Sequence, residues 1–283
     1  MSVLEDYALK YRVAKMERQD GILQVTLHTD GDSLRFGSDN SDRYQLADAF
    51  IDIANDPENL VIILTGTGAA FCEDIVLSSV HDDPMKWDRV YRNRRRLLLN
   101  LLEIEAPIIA AINGPCLVHA EVALLSDIVL ASDTVAFQDK PHFLRGSMPG
   151  DGSHVLWPYL LGSVRGKYYL LTGQRIEADE ALRLGIVNEV LPIEKLLSRA
   201  RELARFIVAR PILSVRYTRA VLNLELRRLI QEHLGYGLAL EGLAAVQRGL
   251  TPSSDITRAM DRAGIAKQVL VDPAPSSAPA SEA

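Results

Sequence analysis

Only two cysteines, Cys72 and Cys116, occur in the 283 residues of the chain. They are too few for a disulfide scaffold and lack metal-ligand spacing, so free buried thiols in a reducing compartment are expected. Long hydrophobic runs are missing too: no segment approaches the ~18 apolar residues of a membrane span. The first residues, Met1-Ser-Val-Leu-Glu-Asp6, carry acids where a signal peptide carries bases, and no apolar stretch follows. A cytoplasmic location is the expectation. Positive charge is in deficit, with 31 Lys and Arg against 37 Asp and Glu. Without a basic stripe the chain has nothing to lay along a phosphate backbone, so a small-molecule substrate is expected as partner, not nucleic acid or membrane.

What is present suits a globular protein: 48% of residues are hydrophobic, enough for a sizeable core. Gly21 to His28 alternates and is rich in β-formers, which predicts a strand. Leu46, Phe50, Ile53 and Ala54 recur at helical spacing and stop before Pro57. Val61 to Leu64, Ile108 to Ile112 and Ile128 to Ala131 are short apolar runs of the kind found in buried parallel strands. A long helix is predicted from Trp87 to about Glu105, with Val90, Leu97 and Leu101 on its apolar face. This alternation implies an α/β layer architecture with crossover connections. Beyond Pro192 no strand signal remains, and Glu194 to Ala209, Ile212 to Asn223 and Leu224 to Arg248 read as successive helices. The Pro- and Ser-rich tail, Pro273 to Ala283, is expected to be disordered.

Two features are easily over-read. Arg92, Arg94, Arg95 and Arg96 suggest an anion site, but four arginines on one helix are expected to form a solvated or intersubunit face. Thr65-Gly-Thr-Gly68 lacks the Gly-Lys-Ser/Thr ending of a phosphate loop and reads as a strand-to-loop turn.

Chemistry concentrates between 113 and 154. His142 and Asp151 lie nine positions apart in a segment crowded with glycine, proline and charge, with a Pro-Gly turn between them. A carboxylate returned to an imidazole in this way fixes its tautomer and lets the other nitrogen take a proton. The competing reading makes His142 structural and Asp151 the cap of the next helix. His119 and Glu121 follow a buried strand at the start of a helix, where α/β ligand sites form, or else they are solvated first-turn residues. Glu241 lies in the apolar helical stretch Leu238-Ala-Leu-Glu-Gly-Leu, where a carboxylate is exposed, paired or functional. His28, His81, His154 and His233 are read as structural or surface residues.

Several segments carry a family resemblance. Phe71-Cys72 after Thr-Gly-Thr-Gly, the Asn113-Gly114 turn, Glu121 to Asp127, Met148-Pro-Gly150 and the run from Leu171 to Val190 resemble the crotonase (enoyl-CoA hydratase/isomerase) superfamily over roughly residues 12–265. The resemblance implies the crotonase (ClpP/crotonase-like) spiral fold of ββα repeats. It implies a core with the active site at 1–195, a C-terminal helical trimerisation region at 196–268 and a disordered tail at 269–283. A homotrimer or a dimer of trimers (a hexamer) is the implied assembly.

The thioester-binding members carry a glycine triad after Asn-Gly, where this chain has Leu117-Val118-His119-Ala120. One hydratase glutamate position is kept as Glu121, while the other falls near His142. The chain is more similar to the carbon–carbon-cleaving β-diketone hydrolase (6-oxocamphor hydrolase) branch. That likeness implies that His142 and Asp151 activate water, that His119 binds a substrate carbonyl, and that Glu241 supplies an acid from the C-terminal helices. It departs in the 33–44 segment, where Phe36 replaces an expected tryptophan and a histidine is missing, which leaves Arg43 or Tyr44 to line the substrate pocket. The expected activity is retro-Claisen hydrolysis of a cyclic 1,3-diketone to a keto acid, with no cofactor and no metal. The alternatives are CoA-thioester chemistry through Glu121 and a non-catalytic member.

Overall fold

The computed structural model describes residues 3–37, 41–75 and 83–250. From the amino end run α1 (Leu4–Tyr7), β1 (Ala14–Gln19), β2 (Ile22–Leu27), β3 (Arg35–Phe36), α2 (Ser41–Asn55), β4 (Val61–Gly66) and β5 (Asp74–Ile75). Then come α3 (Pro84–Glu103), β6 (Ile108–Ile112), α4 (Glu121–Leu124), β7 (Ile128–Ser132), β8 (Ala136–Phe137) and a 3-10 turn at Phe143–Arg145. The remainder is α5 (Ser153–Leu161), α6 (Ser163–Thr172), β9 (Ile176–Glu177), α7 (Ala178–Leu184), β10 (Glu189–Leu191), α8 (Ile193–Val208), α9 (Ile212–Leu222) and α10 (Leu224–Leu250). The expected tail, His81 and the end of the expected helical region, 251–268, lie outside the described residues.

Six strands form the main sheet in the order β1-β2-β4-β6-β7-β10. From β2 to β10 every pairing is parallel, as the buried apolar runs predict. The edge strand β1 pairs antiparallel with β2. It is joined to β2 by Asp20-Gly21, both in the left-handed region at φ 53 and 78, a two-residue turn matched to hairpin twist. Alternation on β4 divides its side chains between two cores. Ile62 and Leu64 join the large core under α2 and α3, while Val61 and Ile63 join Leu196, Ala200 and Ala204 of α8. Helix α8 therefore closes the second face of the sheet and belongs to the core, although the expected boundary at 195/196 placed it in the C-terminal region. Among the described residues no helix is long and apolar enough to cross a membrane.

The loops that leave β4, β6 and β7 lie side by side. Leu117 N donates to Cys72 O at 2.8 Å and Cys116 N to Ala136 O at 2.8 Å, which adds a short second set of strand-like contacts to each turn of the spiral. Gly114 is required there, because a Cβ would stand 2.1 Å from the Ala69 carbonyl oxygen. Both cysteines are free and buried, as expected. Helix α10 returns across α3 and α5. It approaches closely at Gly150, where a Cβ would lie 2.3 Å from the Gly237 carbonyl oxygen. That contact brings the C-terminal helix over the loops following the parallel strands.

Candidate active site

His119 sits in the loop after β6 with a left-handed φ of 51, a conformation that histidine tolerates better than most side chains. Its ring stands edge-on to Phe36, centroids 4.8 Å apart at 85°. Nε2 receives two donors from Arg43, Nη2 at 2.7 Å and Nε at 3.0 Å. A guanidinium has only donors, so Nε2 carries the lone pair and the proton resides on Nδ1. Nδ1 faces Asp151 Oδ2 at 3.1 Å. Burial, reinforced by the Arg43 charge, pushes His119 down to about 4, so the ring is neutral at physiological pH.

His142 is buried and its Nδ1 lies 2.6 Å from Asp139 Oδ1. Its Nε2 is 3.4 Å from Asp151 Oδ2 and 3.6 Å from Glu241 Oε1. These are contacts between charges, longer than a good hydrogen bond. Burial favours the neutral ring, but Asp139 and Asp151 outweigh it and hold His142 well above the usual histidine range. The orienting carboxylate at Nδ1 is thus Asp139. Asp151, expected in that role, lies between the two imidazoles. It does not cap α5, whose N-cap is Gly152 with no side-chain bond. Despite burial, the neighbouring His142 and His119 keep the Asp151 carboxyl well below its ordinary range.

Glu241 is 4% exposed and shares a face of α10 with buried Leu234, Leu238 and Ala245. Arg94 Nη1 meets it at 2.5 Å and stands 3.9 Å from Asp151. Burial opposes ionisation of Glu241, but Arg94 and His142 lower it overall. The arginine run is therefore divided, contrary to the expected solvated or intersubunit face. Arg92 pairs with Asp88 at 2.6 Å and Arg96 pairs with Asp48, whereas Arg94 turns inward on the face of Val90, Leu97 and Leu101.

Glu121 opens α4 and is buried, not solvated. Its Oε1 accepts from Ser153 Oγ at 2.5 Å. Burial and the Asp151 charge raise it to about 8, so it keeps its proton at neutral pH. Tyr44, expected in the pocket wall, is 46% exposed and lies under the Arg96 guanidinium, outside this cluster. Phe36 and Arg43 are inside it. His154 packs against α10 with Nε2 3.3 Å from His233 O, a structural position.

The cluster therefore balances three carboxylates, Asp139, Asp151 and Glu241, against the cations Arg43, Arg94 and His142. His119, Glu121 and Asp151 offer ligand atoms within 4.8 Å of one another. They do not fit a metal ion, because the lone pair of His119 is taken by Arg43 and its other nitrogen carries a proton. The arrangement suits proton transfer beside a site for developing negative charge.

Three participants escaped the sequence reading: Asp139, Arg94 and Ser153. Asp139 was signalled by its place three residues before His142, and Arg94 by falling four residues after Val90 and three before Leu97. Ser153 carried no such signal.

The chain matches the profile of the family described as enoyl-CoA hydratase/isomerase over residues 17–239. It is 33% identical over 192 residues to a short-chain-enoyl-CoA hydratase of Clostridium acetobutylicum, covering 65% of this chain and 72% of that one. It is 31% identical over 196 residues to a carnitinyl-CoA dehydratase of Citrobacter koseri, with 68% and 72% covered. Among solved structures it is similar to a β-diketone hydrolase from the cyanobacterium Anabaena sp. PCC 7120, bound to (S)-3-oxocyclohexyl acetic acid. That pair gives a TM-score of 0.83 at 45% identity, covering 86% of this chain and 97% of the other. An enoyl-CoA hydratase/isomerase from Mycobacterium paratuberculosis gives 0.74 at 26% identity, covering 87% and 98%. With the spiral α/β architecture and these matches, the chain belongs to the enoyl-CoA hydratase/isomerase family of the crotonase superfamily.

Proposed function

We propose that this chain hydrolyses a carbon–carbon bond of a cyclic 1,3-diketone, giving a keto acid. The observation that carries the reading is the buried Asp139–His142 pair facing His119 across Asp151, with His119 in the stretch where thioester-binding relatives have glycines. Surrounded by Asp139, Asp151 and Glu241, His142 rests as an imidazolium. A neutral diketone seated against Nε2 stands between it and the carboxylates of Asp151 and Glu241, so the Nε2 proton passes to solvent and the neutral ring keeps its remaining proton on Nδ1, against Asp139 alone. That is the arrangement of a histidine general base.

In this reading His142 takes a proton from water, and the water oxygen adds to one carbonyl. The oxyanion is met on the His119–Arg43 side of the site. The carbon–carbon bond then breaks, its electron pair leaves as the enolate of the second ketone, and His142 returns the proton to carbon. Glu241, ionised against Arg94, has no proton to give. No cofactor enters, since the enolate is itself the leaving group. The 45% identity to a β-diketone hydrolase supports this reading, as does the keto acid bound to that protein. Assembly as a homotrimer or a dimer of trimers is part of the proposal, supported by exposed apolar side chains such as Phe206, Leu213, Tyr217, Val221 and Leu222 on α8 and α9.

The test is product analysis in oxygen-18 water, with mono- and bicyclic 1,3-diketones beside crotonyl-CoA. The proposal expects one labelled carboxyl oxygen in a keto acid and no reaction of the thioester. Conversion of crotonyl-CoA alone would instead assign thioester chemistry through Glu121, the reading favoured by the names of the sequence relatives.

A further inference from the structure

Arg43 differs from the other deeply placed arginines of this protein. Arg18 is closed by Asp56 at 2.6 Å, Arg94 by Glu241 at 2.5 Å and Arg219 by Asp127 at 2.7 Å. Arg43, 3% exposed on the first turn of α2, meets no carboxylate of the described residues within 4.0 Å. Its guanidinium lies over the Phe36 ring at 4.5 Å. Among the described residues Nη1 reaches only the Gly37 carbonyl, at 3.4 Å. Nε and Nη2 both spend their hydrogens on one neutral nitrogen, Nε2 of His119. A buried cation is normally matched by an anion, and an imidazole lone pair supplies no charge. Burial and the like charge of Arg94 accordingly push Arg43 down to about 9. The Nε–Nη2 edge is also the edge that receives both oxygens of a carboxylate side-on. Imidazole offers that fork a single acceptor.

Resting on the carbon–carbon hydrolase reading, we propose that Arg43 binds the oxygens of the attacked carbon: first the oxyanion, then the carboxylate that this carbon becomes. Water forms the new carbon–oxygen bond and loses one proton to His142, while the carbonyl oxygen takes the negative charge against Arg43. Collapse restores the carbonyl and breaks the carbon–carbon bond. The enolate carbon takes the proton from His142, and the new carboxylic acid ionises, releasing the second proton of the water. The keto acid then leaves Arg43 as an anion. His119 acts as a positioning residue: its Nε2 holds the Nε–Nη2 edge of Arg43 in the resting site and yields that edge to the incoming oxygens, while Asp151 holds Nδ1. The reaction itself thus supplies the oxygens that no carboxylate of the described residues brings into direct contact with Arg43.

The test is titration calorimetry with (S)-3-oxocyclohexyl acetic acid and its methyl ester, with diketone turnover measured in parallel. Wild type is expected to bind the acid at least about tenfold more tightly than the ester, as a single charge-assisted fork provides. Arg43→Gln should bring that ratio to about one and lower turnover by about 10²–10³-fold, the size of losing an oxyanion donor. Arg43→Lys should keep part of the preference, since the charge remains and the fork is lost. Equal binding of acid and ester by wild type, binding of neither, or an acid preference that survives in Arg43→Gln would overturn the proposal. The wild-type comparison decides even if a variant does not fold. An Arg43-dependent acid preference without any diketone turnover would keep the anion site and refute the hydrolase reading.

Discussion

Nδ1 of His142 lies 2.6 Å from Oδ1 of Asp139, three residues earlier in the chain. In the proposed hydrolysis this contact decides which nitrogen moves the proton. With Nδ1 committed, only Nε2 faces the rest of the cluster, and its proton affinity is set by the carboxylate behind it. Asp139→Asn removes the charge and offers an amide that can present either of two ends to Nδ1. Diketone kcat is expected to fall by about 10²–10⁴-fold with KM changed far less, as for other histidine–carboxylate pairs. Steady-state kinetics on the variant checks this, and an Asp139→Asn enzyme with wild-type kcat would remove Asp139 from the dyad.

For the proposed hydrolysis, Glu121 is expected to set the alkaline limb of the pH dependence. Its carboxyl is raised to about 8, so it is neutral below that pH and ionised above. Ionisation places a fourth buried negative charge 3.9 Å from His119 Nδ1 and beside Asp151, disfavouring an oxyanion at the same place. Turnover is therefore expected to fall as pH rises through about 8. Glu121→Gln, which cannot ionise, should lose that limb while keeping the Ser153 contact. A pH–rate profile of the two proteins makes the comparison.

How much of this was legible in the sequence depends on range. The apolar runs at Val61, Ile108 and Ile128 carried the sheet, because strands buried on both faces admit little else. Strand β1 was missed because half of Ala14–Gln19 faces solvent and reads as polar. Its marker was the Asp20-Gly21 turn. The roster of the site was largely visible: His119, Glu121, His142, Asp151, Glu241, Phe36 and Arg43 all come together in the structure. The pairing inside it was not. Which carboxylate meets Nδ1 of His142 depends on angstrom-scale loop geometry, and a nearby Asp139 and a distant Asp151 look equally able from spacing. Arg94 shows a different failure. A charge run suggests solvent, but helical periodicity carries one member of it inward to meet Glu241.

His119 links the site to stability at acid pH. Its pKa is depressed from 6.5 to about 4 in the folded protein, so the unfolded chain binds its proton first. The stabilisation it carries is complete above about 6.5 and is lost as pH falls toward 4. At ~1.4 kcal/mol per unit, that loss is on the order of 3 kcal/mol. Chemical denaturation of wild type and His119→Gln at pH 7 and pH 4.5 isolates the effect. The gap between the two proteins should narrow or reverse at the lower pH, and a gap independent of pH would show that His119 is not held neutral.

Gly150 carries the docking of α10. A Cβ there would stand 2.3 Å from the Gly237 carbonyl and 2.7 Å from Glu241 Cβ, both fixed by the helix. Gly150→Ala must push α10 outward, costing about 1–3 kcal/mol as overpacking and moving Glu241 away from His142. A lower Tm accompanied by reduced turnover is expected. Wild-type values for both would mean that the two segments are held apart in solution.

The central claim is that His142 moves the proton of a carbon–carbon hydrolysis. It is tested most directly by following the loss of 1,3-diketone enol absorbance with the wild-type protein and with His142→Ala, over a set of mono- and bicyclic diketones. The account predicts turnover of at least one diketone by wild type and a loss of about 10²-fold or more in His142→Ala. Full activity in His142→Ala, or no turnover of any diketone by a folded wild-type protein, would contradict it.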